Sequence, residues 1–149
     1  MANDGEETVL KGHFFEDLDV GMEASLAKTI TAADIDTFAV LSGDRNPVHL
    51  DAAFAAGTMF KERIAHGILT AALISAVIGT KLPGPGCIYV SQNLNFRAPV
   101  KIGDEVVATV GVAELIDKRR RAVLACECTV ADKVVLDGEA VVVVPSRAP

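Results

Sequence analysis

The longest apolar stretch of the chain runs from Ile64 to Ile78, and it has too few polar residues to give a helix a polar face. At roughly 15 residues it is shorter than the ~20 that a membrane span needs. The pattern therefore predicts a helix over about residues 67–80 that is buried inside a folded domain. The Pro-Gly-Pro-Gly sequence at 83–86 ends this helix.

Apolar and polar residues alternate after the predicted helix, with the period of two that is typical of β-strands. The predicted strands cover residues 88–97, 105–115, 121–130 and 134–144. Asp137-Gly138 is a hairpin signal inside the last of them, yet the turn at 131–133 already reverses the chain. We therefore predict a bulge at Asp137-Gly138.

Before the buried helix, the pattern predicts one strand, over residues 22–30, and two shorter helices. Thr31 and Asp34 have the spacing of a capping box, and Gly43 ends the helix that they begin. The Asn-Pro step within residues 44–50 resists helix formation, so we predict a loop there. A short helix fits residues 51–56.

These elements together predict an α+β fold in which an antiparallel sheet curves around one central helix. We expect a flexible tail over residues 1–12 and a single domain over residues 13–149. One sheet leaves part of the helix and an edge strand exposed. Two chains that join their sheets would cover both, so we expect a homodimer or a larger even assembly.

Composition narrows the possible function classes. Half of the residues are hydrophobic and 23% are charged, which is typical of a folded chain, and the net charge of −6 argues against a nucleic-acid binder. The three cysteines, Cys87, Cys126 and Cys128, match neither a redox nor a zinc motif, and we expect free buried thiols in a reducing compartment. The polar, acidic N-terminus is unlike a secretory signal, so we expect a cytoplasmic protein.

Asp44 and His49 are the candidate catalytic pair. They lie on the segment Ser-Gly-Asp-Arg-Asn-Pro-Val-His at 42–49, in which the Asn46-Pro47 step restricts the backbone. A carboxylate and an imidazole on one rigid turn can orient a water molecule and deprotonate it. The spacing alone leaves an alternative open, in which Asp44 caps a turn and His49 is a surface residue.

Gly67 opens the predicted helix, so its amide N–H lacks a partner within the helix and lies at the positive end of the helix dipole. Such an amide can stabilise an enolate oxygen on a thioester carbonyl, although packing alone also explains a glycine here. We expect His66 to be a partly buried, hydrogen-bonded structural residue. Ser75 is expected to be a buried hydroxyl that either points at the site or bonds to its own helix.

Other polar groups are weaker candidates for a site. His49, Asp51 and His66 match no ligand motif on one element, so we predict no metal. The basic run at 118–121 is expected to be a solvated hairpin tip rather than a phosphate site.

The sequence Gly43-Asp44-x-Asn46-Pro47-x-His49-x-Asp51, followed by Phe60 and His66-Gly67-Ile68, resembles the hydratase 2 motif of the MaoC-like hydratases. It is similar in particular to the (R)-specific enoyl-CoA hydratases that feed polyhydroxyalkanoate synthesis. The resemblance extends from about residue 14 to residue 145 and so covers nearly the whole chain.

The resemblance implies a hot-dog fold and reversible syn addition of water to a trans-2-enoyl-CoA, which gives the (R)-3-hydroxyacyl-CoA. It implies catalytic roles for Asp44 and His49, an oxyanion role for the Gly67 amide, and supporting roles for Asn46 and Ser75. No metal or redox cofactor is implied, because the CoA arrives with the substrate. The candidates for contacting its phosphates are four basic residues, Lys61, Arg63, Arg97 and Lys101.

Three alternatives remain open at this stage. The first two are enzymes, a hot-dog acyl-CoA thioesterase and a dehydratase subunit that acts on a carrier-protein thioester. The third is a non-catalytic acyl-thioester-binding protein. The pairing of Asp44 with His49 favours hydration over thioester hydrolysis and catalysis over simple binding.

Overall fold

The computed structural model describes residues 11–148. It contains four helices and six strands, together with short 3₁₀ turns at Phe15–Asp17 and Lys118–Arg120. The helices are α1 (Ala32–Ser42), α2 (Pro47–Leu50), α3 (Ala52–Ala56) and α4 (Gly67–Thr80). The strands are β1 (Glu23–Thr29), β2 (Ile88–Gln92), β3 (Asn95–Phe96), β4 (Glu105–Ile116), β5 (Arg121–Val130) and β6 (Lys133–Val143).

The strands form one antiparallel sheet in the order β1-β4-β5-β6-β2, with β3 paired to β6. Its concave face packs on α4, which contacts β1, β4 and β5. Alternate residues of β4 face the helix and are buried, as the period of a strand requires: Val106, Ala108, Val110 and Val112. The hot-dog fold that the resemblance implied is confirmed.

Helix α4 has the bounds that the sequence predicted, but only part of its surface is covered within one chain. The sheet-facing side is buried and consists of Thr70, Leu73, Ile74, Val77 and Ile78. The opposite side is exposed along a stripe at helical spacing, formed by Ile68, Ala72, Ser75 and Gly79. We call these four residues the open face of α4.

The edge strand β2 is exposed as well. Its apolar residues Ile88, Tyr89 and Val90 are 63%, 42% and 43% exposed. The predicted strand over 88–97 is in fact interrupted at Asn93 and Leu94, where β2 ends and β3 follows. The sequence-based expectation that one sheet leaves a helix face and an edge strand uncovered therefore agrees with the structure.

The predicted bulge at Asp137-Gly138 is wrong. Both residues lie in regular pairing with β5, and the extra residue of β6 is Val135, between the pairs Thr129–Val134 and Cys128–Leu136. Gly138 allows the backbone of Asn93 to approach closely, because a Cβ at this position would lie 2.0 Å from the Asn93 carbonyl oxygen. The turn at 131–133 does reverse the chain, and its residues Ala131 and Asp132 have left-handed φ angles of 49° and 66°.

The predicted loop over residues 44–50 is partly wrong, because α2 occupies its second half. The Asn46 side chain caps this helix by accepting a hydrogen bond from the Val48 N–H, and Pro47 occupies the first helical position. Proline is favoured there because its missing N–H would have no helical partner in any case. The Asn-Pro step therefore starts a helix instead of preventing one.

The other local signals agree with the structure. Thr31 and Asp34 form the predicted capping box, and α1 ends at Gly43 with a left-handed φ of 81°. The three cysteines are free, and burial raises the pKa of the Cys126 thiol to about 11 and that of Cys128 to about 12. In residues 11–148, no helix combines the length and apolar character that crossing a bilayer requires.

Candidate active site

The segment between α1 and α2 holds Asp44 in a tight series of side-chain turns. The Ser42 hydroxyl accepts a hydrogen bond from the Asp44 N–H at 3.1 Å, and the Asp44 carboxylate accepts one from the Asn46 N–H at 3.3 Å. Asn46 in turn caps α2. Asp44 and Asn46 are both exposed. Asn46 therefore fixes the path of the backbone between the two members of the candidate pair.

His49 is buried, with 9% of its surface exposed, and its ring orientation is set by the backbone. Its Nδ1 lies 2.8 Å from the Ile64 carbonyl oxygen. Because a carbonyl can only accept, Nδ1 carries the hydrogen, and Nε2 of the neutral ring keeps its lone pair. The alternative in which His49 is a surface residue is therefore wrong.

Burial lowers the pKa of His49, and the nearby His66 lowers it further. The hydrogen bond to Ile64 and the charge of Asp44 oppose this decrease. The net pKa lies below the ordinary value of 6.5, so the neutral ring predominates at pH 7. A neutral imidazole with a free Nε2 is the form that a general base requires.

His66 is more deeply buried than predicted, with 1% of its surface exposed. Its Nε2–H donates to the backbone carbonyl of Asp44 at 2.9 Å, so the expected structural hydrogen bond is present. Its ring stacks on that of His49 with centroids 4.0 Å apart, and the ring of Phe38 lies 4.8 Å from it at an angle of 58°. Its Nδ1 has no hydrogen-bond partner among the described residues.

Asp44, His49 and His66 offer potential ligand atoms within 4.8 Å of one another, which is the cluster best suited to a metal among residues 11–148. The two imidazoles, however, are stacked with an angle of 28° between their planes. Because the two ring planes are close to parallel and their centroids are 4.0 Å apart, in-plane lone pairs of both rings converge poorly on one nearby ion. Asp51 is not part of the cluster, because its carboxylate caps α3.

Gly67 begins α4 next to the two histidines, and no hydrogen bond to its N–H is found within the described part of the chain. A Cβ at this position would lie 2.5 Å from the ring of Phe96. The structure thus supports both reasons for a glycine here, since the amide at the helix N-terminus has no partner among the described residues and a side chain would require the Phe96 ring to move.

A cavity of about 550 Å³ adjoins this site, with His49 and Gly67 in its wall. The bulge at Val135 helps to shape the cavity, because its carbonyl accepts hydrogen bonds from the N–H groups of Arg97 and Ala98. The remaining wall is mostly apolar and includes Met59, Phe60, Ile64, Ile68, Phe96, Pro99, Val100 and Leu136. Such a cavity suits an acyl chain better than a polar ligand.

Ser75 is not the buried hydroxyl that the sequence predicted. It is exposed on the open face of α4, eight residues or about 12 Å along the axis from Gly67, and it does not line the cavity. The expectation failed because a helix that is apolar almost all round gives no sequence signal for the side that will be covered. Its supporting role stays a prediction.

The four candidate phosphate contacts differ in their surroundings. Arg63 donates from Nε to the His49 carbonyl at 2.6 Å and pairs with Asp36 at 2.7 Å, so its guanidinium is already engaged. Arg97 pairs with Asp137, and Lys101 pairs with Glu62. Sequence reasoning missed the contact between Arg63 and His49, because a bond to a backbone carbonyl leaves no motif.

Comparison with known proteins agrees with this arrangement. A family model described as "MaoC like domain" matches residues 15–134. A protein of Methylorubrum extorquens named 3-hydroxybutyryl-CoA dehydratase is 62% identical over 134 residues, which cover 90% of this chain and 85% of the relative. An (R)-specific enoyl-CoA hydratase of Rhodospirillum rubrum is 56% identical over 135 residues, covering 91% of this chain and 94% of the relative.

A solved structure has the same fold. R-hydratase PhaJ1 from Pseudomonas aeruginosa, in its unliganded form, superposes with a TM-score of 0.87 and is 49% identical. The superposition covers 91% of this chain and 88% of that chain.

Proposed function

The chain belongs to the MaoC-like domain family, and from this premise we propose that it is an (R)-specific enoyl-CoA hydratase. It is a hydro-lyase that adds water reversibly to a trans-2-enoyl-CoA and forms the (R)-3-hydroxyacyl-CoA. The observation that carries this proposal is the placement of His49, whose Nδ1–H donates to the Ile64 carbonyl and whose ring lines an apolar cavity. The Gly67 amide lies beside it and has no hydrogen-bond partner among the described residues.

In the proposed reaction, His49 acts as general base and Asp44 orients the attacking water. Nε2 of His49 accepts a proton while the water oxygen forms a bond to C3 of the enoyl group. The electrons of the double bond move to the thioester oxygen, where the Gly67 amide stabilises the enolate. C2 then takes, on the same face, the proton that Nε2 of His49 accepted from the water, which completes a syn addition and returns His49 to its neutral form.

Hydration of crotonyl-CoA tests the proposal directly. The absorbance of the conjugated thioester should fall on addition of the protein, and chiral analysis should give mainly the (R)-3-hydroxy product. Mainly (S) product would contradict the assigned stereochemistry. Release of free CoA thiol without hydration would instead identify a thioesterase.

We also propose that the enzyme is a homodimer in the cytoplasm. The open face of α4 and the exposed apolar residues of β2 are the surfaces that a second copy would cover. Light scattering at micromolar concentration should give twice the mass of the chain, or a larger even multiple. A monomeric mass would contradict this prediction.

For the coenzyme phosphates, we propose Lys61, Arg97 and Lys101 as the remaining candidates. Arg63 is set aside because its side chain is only 16% exposed and binds the His49 carbonyl, whereas the ion-paired side chains of Arg97 and Lys101 are 55% and 42% exposed. Charge reversal at each of the three positions should raise KM for the CoA thioester at low salt more than at high salt. An unchanged KM at all three positions would exclude this patch.

A further inference from the structure

Three of the four residues before α4 form a support for the segment that carries Asp44 and His49. Arg63 donates to the carbonyl of His49, and Ile64 accepts the Nδ1–H of the same residue. At the other end of the segment, His66 donates to the carbonyl of Asp44. His66 is thus the one member of this support that contacts both candidate catalytic residues, through a hydrogen bond to Asp44 and a ring stack on His49.

We propose that His66 is a positioning residue of the hydratase, which fixes Asp44 and His49 relative to each other by its Nε2–H and its ring. The inference rests on the function proposed above. His66 is not among the residues that line the cavity, so it acts through its two neighbours and does not touch the substrate.

The hydrogen bond is the part of this role that an apolar side chain cannot supply. Asp44 is exposed, and the turns that hold it involve only its own segment. Among the described residues, the His66 Nε2–H is the donor that ties the Asp44 carbonyl to a distant part of the chain. His66 is buried, and its Nδ1 has no partner in the described residues. Burying a nitrogen that has no hydrogen-bond partner destabilises the folded protein. An apolar ring would fill the same space without burying such a nitrogen. The Nε2–H is therefore the property that distinguishes histidine here.

The ring stack also affects the base itself. The groups around His49 are Asp44 and His66, together with Arg63, whose guanidinium binds the His49 carbonyl and Asp36. The neighbouring His66 imidazole lowers the pKa of His49, because it disfavours a positive charge on the stacked ring, whereas the Asp44 carboxylate raises it. Removing the His66 imidazole should therefore raise the pKa of His49. Activity would then be lost at a higher pH as the solution is made more acidic, because the protonated ring cannot act as a base.

The first test uses the unaltered protein and does not depend on activity. Nitrogen-15 NMR of the histidine rings reports which nitrogen carries the proton. We expect His66 to be the Nε2–H tautomer and His49 the Nδ1–H tautomer at neutral pH. Finding His66 as the Nδ1–H tautomer would overturn the proposal, because Nε2 could not then donate to Asp44.

The second test separates the donor from the ring. His66→Gln places an amide N–H near the position of Nε2, whereas His66→Phe keeps a flat ring and removes the donor. We expect His66→Phe to lower kcat by roughly 10- to 100-fold with KM little changed, since small displacements of catalytic groups have effects of this size. His66→Gln should recover most of kcat. Both should move the acidic limb of the pH profile to higher pH.

The outcomes distinguish this proposal from the proposed function. If the unaltered protein does not hydrate crotonyl-CoA, the function is wrong, and the tautomer measurement still decides the hydrogen bond. If it does hydrate crotonyl-CoA but the folded His66→Phe keeps its kcat and pH profile, the positioning role is wrong. Equal losses in His66→Phe and His66→Gln would also overturn it, because the donor would then make no difference.

Discussion

The side of α4 that faces the sheet and the N-terminal end of the same helix are held together by different interactions. On the sheet side, apolar residues such as Ile74 and Val77 pack against β4 and β5 with almost no exposed surface. At the N-terminal end, a few directional hydrogen bonds join His49 and His66 to backbone carbonyls. Burial of apolar surface is not directional, so it gives stability, whereas hydrogen bonds fix the angles that catalysis needs.

The largest expected effect comes from breaking the proposed catalytic pair. Asp44→Asn keeps the shape of the side chain and removes its charge, and His49→Ala removes the base. Each should lower kcat by roughly 10²–10⁴, the range of general acid–base catalysis, and the double variant should be little worse than the worse single one. The measurement is crotonyl-CoA turnover under saturating substrate.

Stability provides the control for that experiment. Asp44 is exposed, so Asp44→Asn should unfold at the same denaturant concentration as the unaltered protein. His49 is buried, so His49→Ala should be less stable and must be assayed where it is fully folded. A folded single variant with unchanged turnover would show that the pair is not catalytic.

The second prediction concerns the sheet side of the helix. Ile74 is 1% exposed, and Ile74→Ala should lower the free energy of unfolding by about 2–5 kcal/mol. Its kcat per folded molecule should change far less than that of Asp44→Asn. Leu41→Ala is a suitable control, because Leu41 is 82% exposed and its truncation should have little effect on stability. Urea denaturation measures both, and equal losses in the two variants would contradict the core assignment.

The same contrast explains which structural features could be predicted from the sequence and which could not. The bounds of α4 follow from Gly67 and the Pro-Gly pairs, and the strands follow from their alternation, so the fold was predictable. The covered side of α4 was not, because its residues are apolar almost all round and carry no directional signal. The prediction of a loop at Asn46-Pro47 was wrong because these residues, which are unfavourable inside a helix, are favourable at its start.

The site was predictable only in part. Asp44, His49 and Gly67 lie close together in sequence motifs, and the structure brings the two histidines and the helix start to one place. The contacts of Arg63 and His66 with backbone carbonyls were not predictable, because every residue has a carbonyl. Only the path of the chain determines which carbonyl is within reach.

The pH dependence tests the proposed base, because the protonated ring of His49 cannot accept a proton from water. The pKa of this ring lies below 6.5 in the folded protein, so kcat/KM should be flat at neutral pH and fall as the pH drops through that lowered value. The unfolded chain binds the proton more tightly, so the contribution of His49 to stability is complete above pH 6.5 and is lost as the solution becomes more acidic. An acidic limb above 6.5 in the unaltered enzyme would contradict this prediction.

The smallest expected effect is that of a chelator. The reaction proposed for His49 and Asp44 uses only protein groups, and the stacked rings of His49 and His66 are poorly arranged for one ion. Dialysis against EDTA should therefore leave turnover of crotonyl-CoA unchanged. Loss of activity that returns on adding Zn²⁺ or another divalent ion would show that the site needs a metal.

The short turns of the sheet have a consequence for the order in which the protein folds. Ile116 pairs with Arg121, and Val130 pairs with Lys133, so β4, β5 and β6 meet after very small loops are closed. By contrast, β1 can pair with β4 only when a long loop, which contains the catalytic segment and α4, has been closed. Because closing a short loop loses less chain entropy, we expect the three-stranded meander to form first and the N-terminal third to dock on it afterwards. The catalytic segment then acquires its geometry late, on a sheet that already exists.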